Sequence, residues 1–197
     1  IATIWKDRVA KHQEYTVKIP FSDFKVFDFI CQNVPKNSQL QVSNSSAIRY
    51  LQLFDLDKSI QVFCNRGTSG IDGSTSTAIG AALASDLPTM LITGDISFLY
   101  DSNALWNNYI PKNFKIILLN NSGGGIFRIL PGHQETETFN TYFETSHQLN
   151  ALHLAKMYGF DYYTATDEDS LKTSYKSFLN QNNKPCILEI FTPEKSN

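Results

Sequence analysis

Apolar residues in this chain cluster in short runs, separated by stretches that carry a helical rhythm. Residues 39–42, 60–64, 89–93, 114–119, 161–166 and 185–191 read as strands, the run at 60–64 as a buried one. Between them the period changes. Phe24, Phe27, Cys31 and Val34 recur at helical spacing behind Ser22, a plausible N-cap. Phe98, Leu99, Leu105, Trp106 and Tyr109 trace the stripe of an amphipathic helix across 98–109. Leu149, Leu152 and Ala155 make the stripe of another helix, and Leu171, Tyr175, Phe178 and Leu179 that of the last one. The small-residue stretch 74–84 is a helix that can pack closely on a sheet. A strand followed by a helix, repeated about six times, predicts an α/β fold: a parallel sheet of about six strands with helices on both faces.

The flanks and punctuation complete the organisation. Residues 1–20 mix charge and polarity without a tidy period and read as a linker, with a short helix around 5–12 and a solvated His12; 21–197 is then one domain. Residues 131–146 are polar and acidic and read as a mobile loop, with His133 solvated. Residues 192–197 should fray. His147 and His153 fall on different helix faces, which argues against a shared metal.

Composition narrows the functional classes. With 197 residues and a formal net charge of -2, the chain has room for one well-cored domain and no electrostatic case for nucleic acid. No apolar run approaches the roughly 20 residues of a membrane span, and no charged-then-apolar leader opens the chain. Cys31, Cys64 and Cys186 are odd in number and set among apolar residues, so they read as buried free thiols of a reducing, cytoplasmic compartment. A first residue of Ile1 rather than Met fits an excised piece of a larger protein.

Candidate chemistry lies between residues 93 and 127. Asp95 and Asn121 each follow a predicted strand, in one β-α-β unit, at the sheet edge where open α/β folds bind ligands. A carboxylate and a carboxamide are hard oxygen donors, suited to Mg²⁺ with phosphate oxygens completing its shell. Ser122-Gly123-Gly124-Gly125 has no bulky side chain, so its carbonyls can face a metal and its N–H groups an anion. Taken singly, each half is ordinary loop punctuation; together they point to a metal-phosphate site. Upstream, Ser43-Asn44-Ser45-Ser46 opens a helix carrying Arg49, where serine capping alone is a sufficient reading. Arg66, at a strand's carboxyl end, can fork onto a carboxylate or serve as a surface arginine.

Gly94-Asp95, closed 26 residues later by Asn121, resembles the cofactor motif of thiamine-diphosphate-dependent enzymes. The wording of Asn65-Arg66-Gly67-Thr68-Ser69-Gly70-Ile71-Asp72-Gly73, of the stretch from Gly94, and of Asn120-Asn121-Ser122-Gly123-Gly124-Gly125-Ile126-Phe127 is similar to the MenD family. These are the 2-succinyl-5-enolpyruvyl-6-hydroxy-3-cyclohexene-1-carboxylate synthases of menaquinone biosynthesis. The resemblance covers nearly the whole chain but only the carboxy-terminal third of such an enzyme.

It implies the diphosphate-binding domain of a transferase that decarboxylates 2-oxoglutarate and adds the remaining four-carbon unit to isochorismate. Thiamine diphosphate and Mg²⁺, with Mn²⁺ as an alternative, are the implied cofactors. Asp95, Asn121 and the carbonyl of Gly123 would hold the metal. Ser45, Gly70, Ile71, Asp95, Ile96, Ser97, Asn121, Gly123, Gly124, Ile126 and Phe127 would line the cofactor, with Leu130 adding an apolar wall. Arg49 and Arg66 would meet substrate carboxylates, and Ile71 would prop the cofactor into its bent conformation. The glutamate that activates the aminopyrimidine ring has no match here. It is expected on the pyrimidine-binding domain of a second subunit, in a homodimer or homotetramer, so the fragment alone should be inactive. Acetolactate-synthase-like and decarboxylase-like enzymes share the Gly-Asp to Asn core, and a non-catalytic phosphate-binding domain is the rival outside enzymes.

Overall fold

The computed structural model describes residues 2–195. Ile1 of the expected linker, and Ser196 and Asn197 of the tail expected to fray, lie outside them. Among the described residues six strands, β1 (Gln39–Val42), β2 (Gln61–Cys64), β3 (Thr89–Gly94), β4 (Lys115–Asn120), β5 (Asp161–Ala165) and β6 (Cys186–Phe191), form one sheet in the order β2-β1-β3-β4-β6-β5. Every neighbouring pair is parallel.

Strand alternation builds two cores. Met90, Ile92, Ile117, Leu119, Leu188 and Ile190 point to one face, where α2 (Asp23–Asn33), α3 (Ser46–Leu51) and α8 (Glu168–Asn180) supply Val26, Phe27, Ile48, Leu171 and Phe178. Leu91, Ile116, Leu118 and Ile187 point to the other, under α4 (Ser74–Ala84), α5 (Asp95–Tyr100) and α7 (Leu152–Tyr158). The expected α/β architecture is the one observed.

Several elements differ from the pattern-based expectation. A continuous helix, α1 (Ala2–Lys18), runs through most of the expected linker rather than over 5–12 alone. It is anchored by Trp5 Nε1 donating to Asp55 (2.8 Å) and by His12 Nδ1 against the Leu53 carbonyl (2.8 Å), so His12 is packed beside Phe24 and Phe54 rather than solvated. β2 is an edge strand, not a buried one: Val62 and Phe63 are 40% and 48% exposed, and Cys64 is half-buried while Cys31 and Cys186 are buried. The helix expected across 98–109 stops at Tyr100 and continues as a 3-10 turn, Ser102–Trp106. Trp106 and Tyr109 therefore face outward. Asp101 explains the break, because its carboxylate turns aside to accept Ser76 N–H (2.7 Å) and the Ser76 hydroxyl (2.6 Å) at the start of α4. Leu149 lies before α7 and is exposed, so that helix is anchored by Ala155 instead.

Far from the ligand edge, Lys115 opens β4 buried. Its ammonium donates to the Phe178 carbonyl (2.8 Å) and to the Gln181 carbonyl, satisfying the end of α8. Burial pulls its pKa down. Lys115→Met keeps the stem but strands those carbonyls, so stability should fall by about 1–3 kcal/mol, read as a lower melting temperature.

Candidate functional site

The chain leaves β1 toward β2 on one side of the sheet and returns to β3 on the other, so a crevice opens at the carboxyl ends of β1 and β3. There lies a cleft of about 230 Å³. β1 delivers Asn44, Ser45 and Ser46; β3 delivers Gly94, Asp95, Ile96 and Ser97; the turn after β4 delivers Asn121, Gly123 and Gly124. Ile71, Ile126 and Phe127 form apolar walls with Phe27. Leu130 is outside the lining, because α6 (Ile126–Ile129) ends after one turn.

Asp95 is buried at the floor. Its Oδ1 accepts the Ile96 N–H (2.7 Å) and its Oδ2 the Gly123 N–H (3.0 Å), which ties the end of β3 to the turn after β4. His147 Nε2 lies 3.3 Å from the same Oδ2; contact with that carboxylate raises the imidazole pKa, against burial. Asn121 Nδ2 donates to Asp23 Oδ2 (3.0 Å). Burial lifts the Asp23 carboxyl to about 6, its hydrogen bonds with Thr192 and Asn121 oppose this, and the Asp95 charge adds to it.

The turn after β4 admits no side chains where it matters. A Cβ on Gly123 would lie 2.8 Å from the Glu144 carbonyl, and one on Gly124 2.8 Å from that of Phe143. Those carbonyls belong to a strap, residues 131–146, that crosses the cleft and contributes Tyr142, Phe143 and Thr145 to its wall. Arg128 clasps it by pairing with buried Glu144 and with Glu135, and the Glu144 carbonyl accepts the Gly124 N–H.

The remaining predicted residues stand at the margin. Arg49 is exposed, with Nη1 donating to the Ser45 carbonyl (2.9 Å). Arg66 is exposed, with Nη1 on Asn44 Oδ1 (2.7 Å). Neither arginine lines the cleft, and Gly70 does not either. Ile71 does, its carbonyl taking the Ser97 hydroxyl. Ser45 holds φ 76° and ψ -133°, a conformation costing a non-glycine residue about 1–3 kcal/mol and concentrated at ligand-binding positions. The sequence reading assigned no role to Asp23, Asn44, His147 or Glu189. Only Glu189 carried a signal, as a lone charge inside an apolar strand.

The donor set fits a divalent cation with a diphosphate. Asp95 and Asn121 both line the cleft as oxygen donors, and Gly94, next to Asp95, has open space where a Cβ would stand.

Residues 44–190 match the family described as thiamine pyrophosphate enzyme, C-terminal TPP binding domain. The chain belongs to that family. The TPP binding domain is also the part shared with curated relatives named 2-succinyl-5-enolpyruvyl-6-hydroxy-3-cyclohexene-1-carboxylate synthase. That of Flavobacterium johnsoniae is 66% identical over 197 residues, covering 100% of this chain and 36% of the relative. That of Flavobacterium psychrophilum is 69% identical over 194 residues, 98% of this chain and 35% of the relative. The synthase of Bacteroides fragilis is 42% identical over 177 residues, 89% of this chain and 32% of the relative. The chain thus spans about a third of the length of these proteins. A solved thiamine diphosphate-dependent 4-hydroxybenzoylformate decarboxylase of Rhodococcus jostii superposes with a TM-score of 0.67 at 23% identity, covering 90% of this chain and 34% of that one, a likeness of fold.

Proposed function

We propose that this chain is the thiamine diphosphate- and Mg²⁺-binding domain of a cytoplasmic synthase that decarboxylates 2-oxoglutarate and adds the four-carbon remainder to isochorismate on the route to menaquinone. The observation that carries the reading is identity of 66–69% with synthases of that name across essentially the whole chain.

On this reading Asp95, Asn121 and the Gly123 carbonyl hold Mg²⁺, or Mn²⁺ in its place, and so fix the diphosphate at the strand ends. Thiamine diphosphate, when bound, supplies an electron sink for the pair left as CO₂ departs. The protein supplies position and electrostatics. Ile71, Ile126 and Phe127 exclude water from the cleft, while Ser45, Ile96, Ser97 and Gly124 border the cofactor; Gly70 stands outside the lining, next to Ile71. Arg49 and Arg66 are held on cleft-lining residues, the Ser45 carbonyl and Asn44, and on this reading their guanidinium groups turn from these to the carboxylates that both substrates carry. The cleft's modest volume, below the roughly 300–1,000 Å³ of ordinary ligand sites, supports a site finished by another domain. That domain, from a second subunit of a homodimer or homotetramer, brings the glutamate that the aminopyrimidine needs.

The test uses the full-length protein with thiamine diphosphate, Mg²⁺ and isochorismate. CO₂ should be released from 2-oxoglutarate as isochorismate is consumed, and the isolated 197-residue chain should give none. Turnover of pyruvate alone would keep the cofactor and sink the substrate assignment. Cofactor binding without any turnover would favour a non-catalytic role.

A further inference from the structure

We propose that Asp23 is a positioning residue that decides which end of the Asn121 carboxamide faces the cation. The inference rests on the metal-site reading above. A carboxamide has one end that can ligate a cation and one that repels it, and the two ends have nearly the same shape. A site built on asparagine therefore needs something that tells the ends apart. Here the discriminating group comes from far along the chain. Asp23 opens α2, is 2% exposed and borders the same cleft as Asn121.

Two donors reach the Asp23 carboxylate oxygens. The Thr192 hydroxyl reaches Oδ1 at 2.6 Å, and Asn121 Nδ2 reaches Oδ2 at 3.0 Å. An ionised carboxylate only accepts hydrogen bonds, so it takes the NH₂ end of the amide and leaves Oδ1 for the cation. Turning the amide over would set oxygen against oxygen on one side and NH₂ against the metal on the other. Thr192, at the end of β6, fixes the Asp23 side chain in turn, so the orientation of a ligand after β4 is set from α2 and β6 together.

The experiment measures Mn²⁺ binding to the full-length protein by electron paramagnetic resonance, with thiamine diphosphate present and no substrate. Asp23→Leu and Asp23→Asn are each made alone and together with Asn121→Asp. Asp23→Leu should weaken Mn²⁺ binding about 10- to 100-fold, the usual consequence of losing a ligand's orienting partner. Asp23→Asn should weaken it less, because its oxygen still takes Nδ2 but no longer forbids the flipped amide. With Asn121→Asp the ligand has oxygen at both ends. Orientation then has no consequence, and replacing Asp23 should leave Mn²⁺ affinity unchanged or tighter as a like charge is removed. Equal losses in both backgrounds would mark Asp23 as merely structural, and no loss in either would also overturn the proposal. Where Asp23→Leu fails to fold, the comparison rests on Asp23→Asn in the two backgrounds. A wild-type protein that takes up no Mn²⁺ would sink the metal-site reading itself, a result distinct from the other failures.

Discussion

Asp95→Ala in the full-length protein is expected to lower Mg²⁺ affinity by at least about 100-fold, the upper end of what even an indirect partner's loss does, and to abolish cofactor-dependent turnover. The side chain has two functions at once. It is the charged member of the proposed donor set, and it accepts Gly123 N–H through Oδ2 and Ile96 N–H through Oδ1. Alanine removes the charge and strands a buried N–H, which adds about 1–3 kcal/mol of instability at the turn. Asp95→Asn separates the two effects, since an amide oxygen still accepts one N–H while the charge is gone. The measurement is a melting curve with and without Mg²⁺ and thiamine diphosphate. A ligand at 100 times its dissociation constant stabilises by about 2.7 kcal/mol, so the wild type should shift upward by several degrees and Asp95→Ala should not shift. A ligand-dependent shift that survives in Asp95→Ala would place the metal elsewhere.

What the sequence disclosed followed the range of the forces involved. The central strands were legible because residues such as Leu91 and Ile92, or Ile116 and Ile117, are buried from both sides and leave uninterrupted apolar runs. Asp95 and Asn121 were legible because both end neighbouring strands and glycines surround them. β2 carries the same apolar signature but lies at an edge, and no local pattern says whether a strand has one neighbour or two. The full length of α1, expected only around 5–12, escaped notice for a related reason: its contacts run through single residues, Trp5 to Asp55 and His12 to Leu53, rather than through a continuous stripe. Asp23 and Asn121 are 98 positions apart, and His147 reaches Asp95 out of a polar stretch. Such pairings exist only after the sheet has assembled. The arginines show the opposite case, in which motif wording placed Arg49 and Arg66 at the site while the geometry holds them at its rim on Ser45 and Asn44.

Glu189→Ala should destabilise the protein by about 3–5 kcal/mol, the combined cost of buried donors left unpaired and of the cavity left by a truncated side chain. The carboxylate is fully buried in β6, opposite Leu118 of β4 and Thr164 of β5. It accepts Asn120 Nδ2 (2.7 Å), the Ala151 N–H (2.9 Å) and the Tyr162 hydroxyl, so truncation leaves three donors short and a cavity besides. Burial and that bond hold the Tyr162 phenol well above its ordinary pKa, so it stays a donor throughout the working range. The damage should also travel to the site. Asn120 Nδ2 donates to the Leu149 carbonyl (2.9 Å) and its Oδ1 accepts the Ser122 N–H (3.1 Å), which places the turn carrying Asn121 and Gly123. At roughly 2–4 °C per kcal/mol for a domain of this size, the melting temperature should fall by about 10 °C. Glu189→Gln keeps the volume and one acceptor but turns an NH₂ toward donors, so it should lose about 1–3 kcal/mol and fall between wild type and alanine. Equal losses in the two variants would mean that the accepted hydrogen bonds, not volume, are what Glu189 contributes, whereas a Glu189→Gln protein as stable as wild type would leave volume as its contribution.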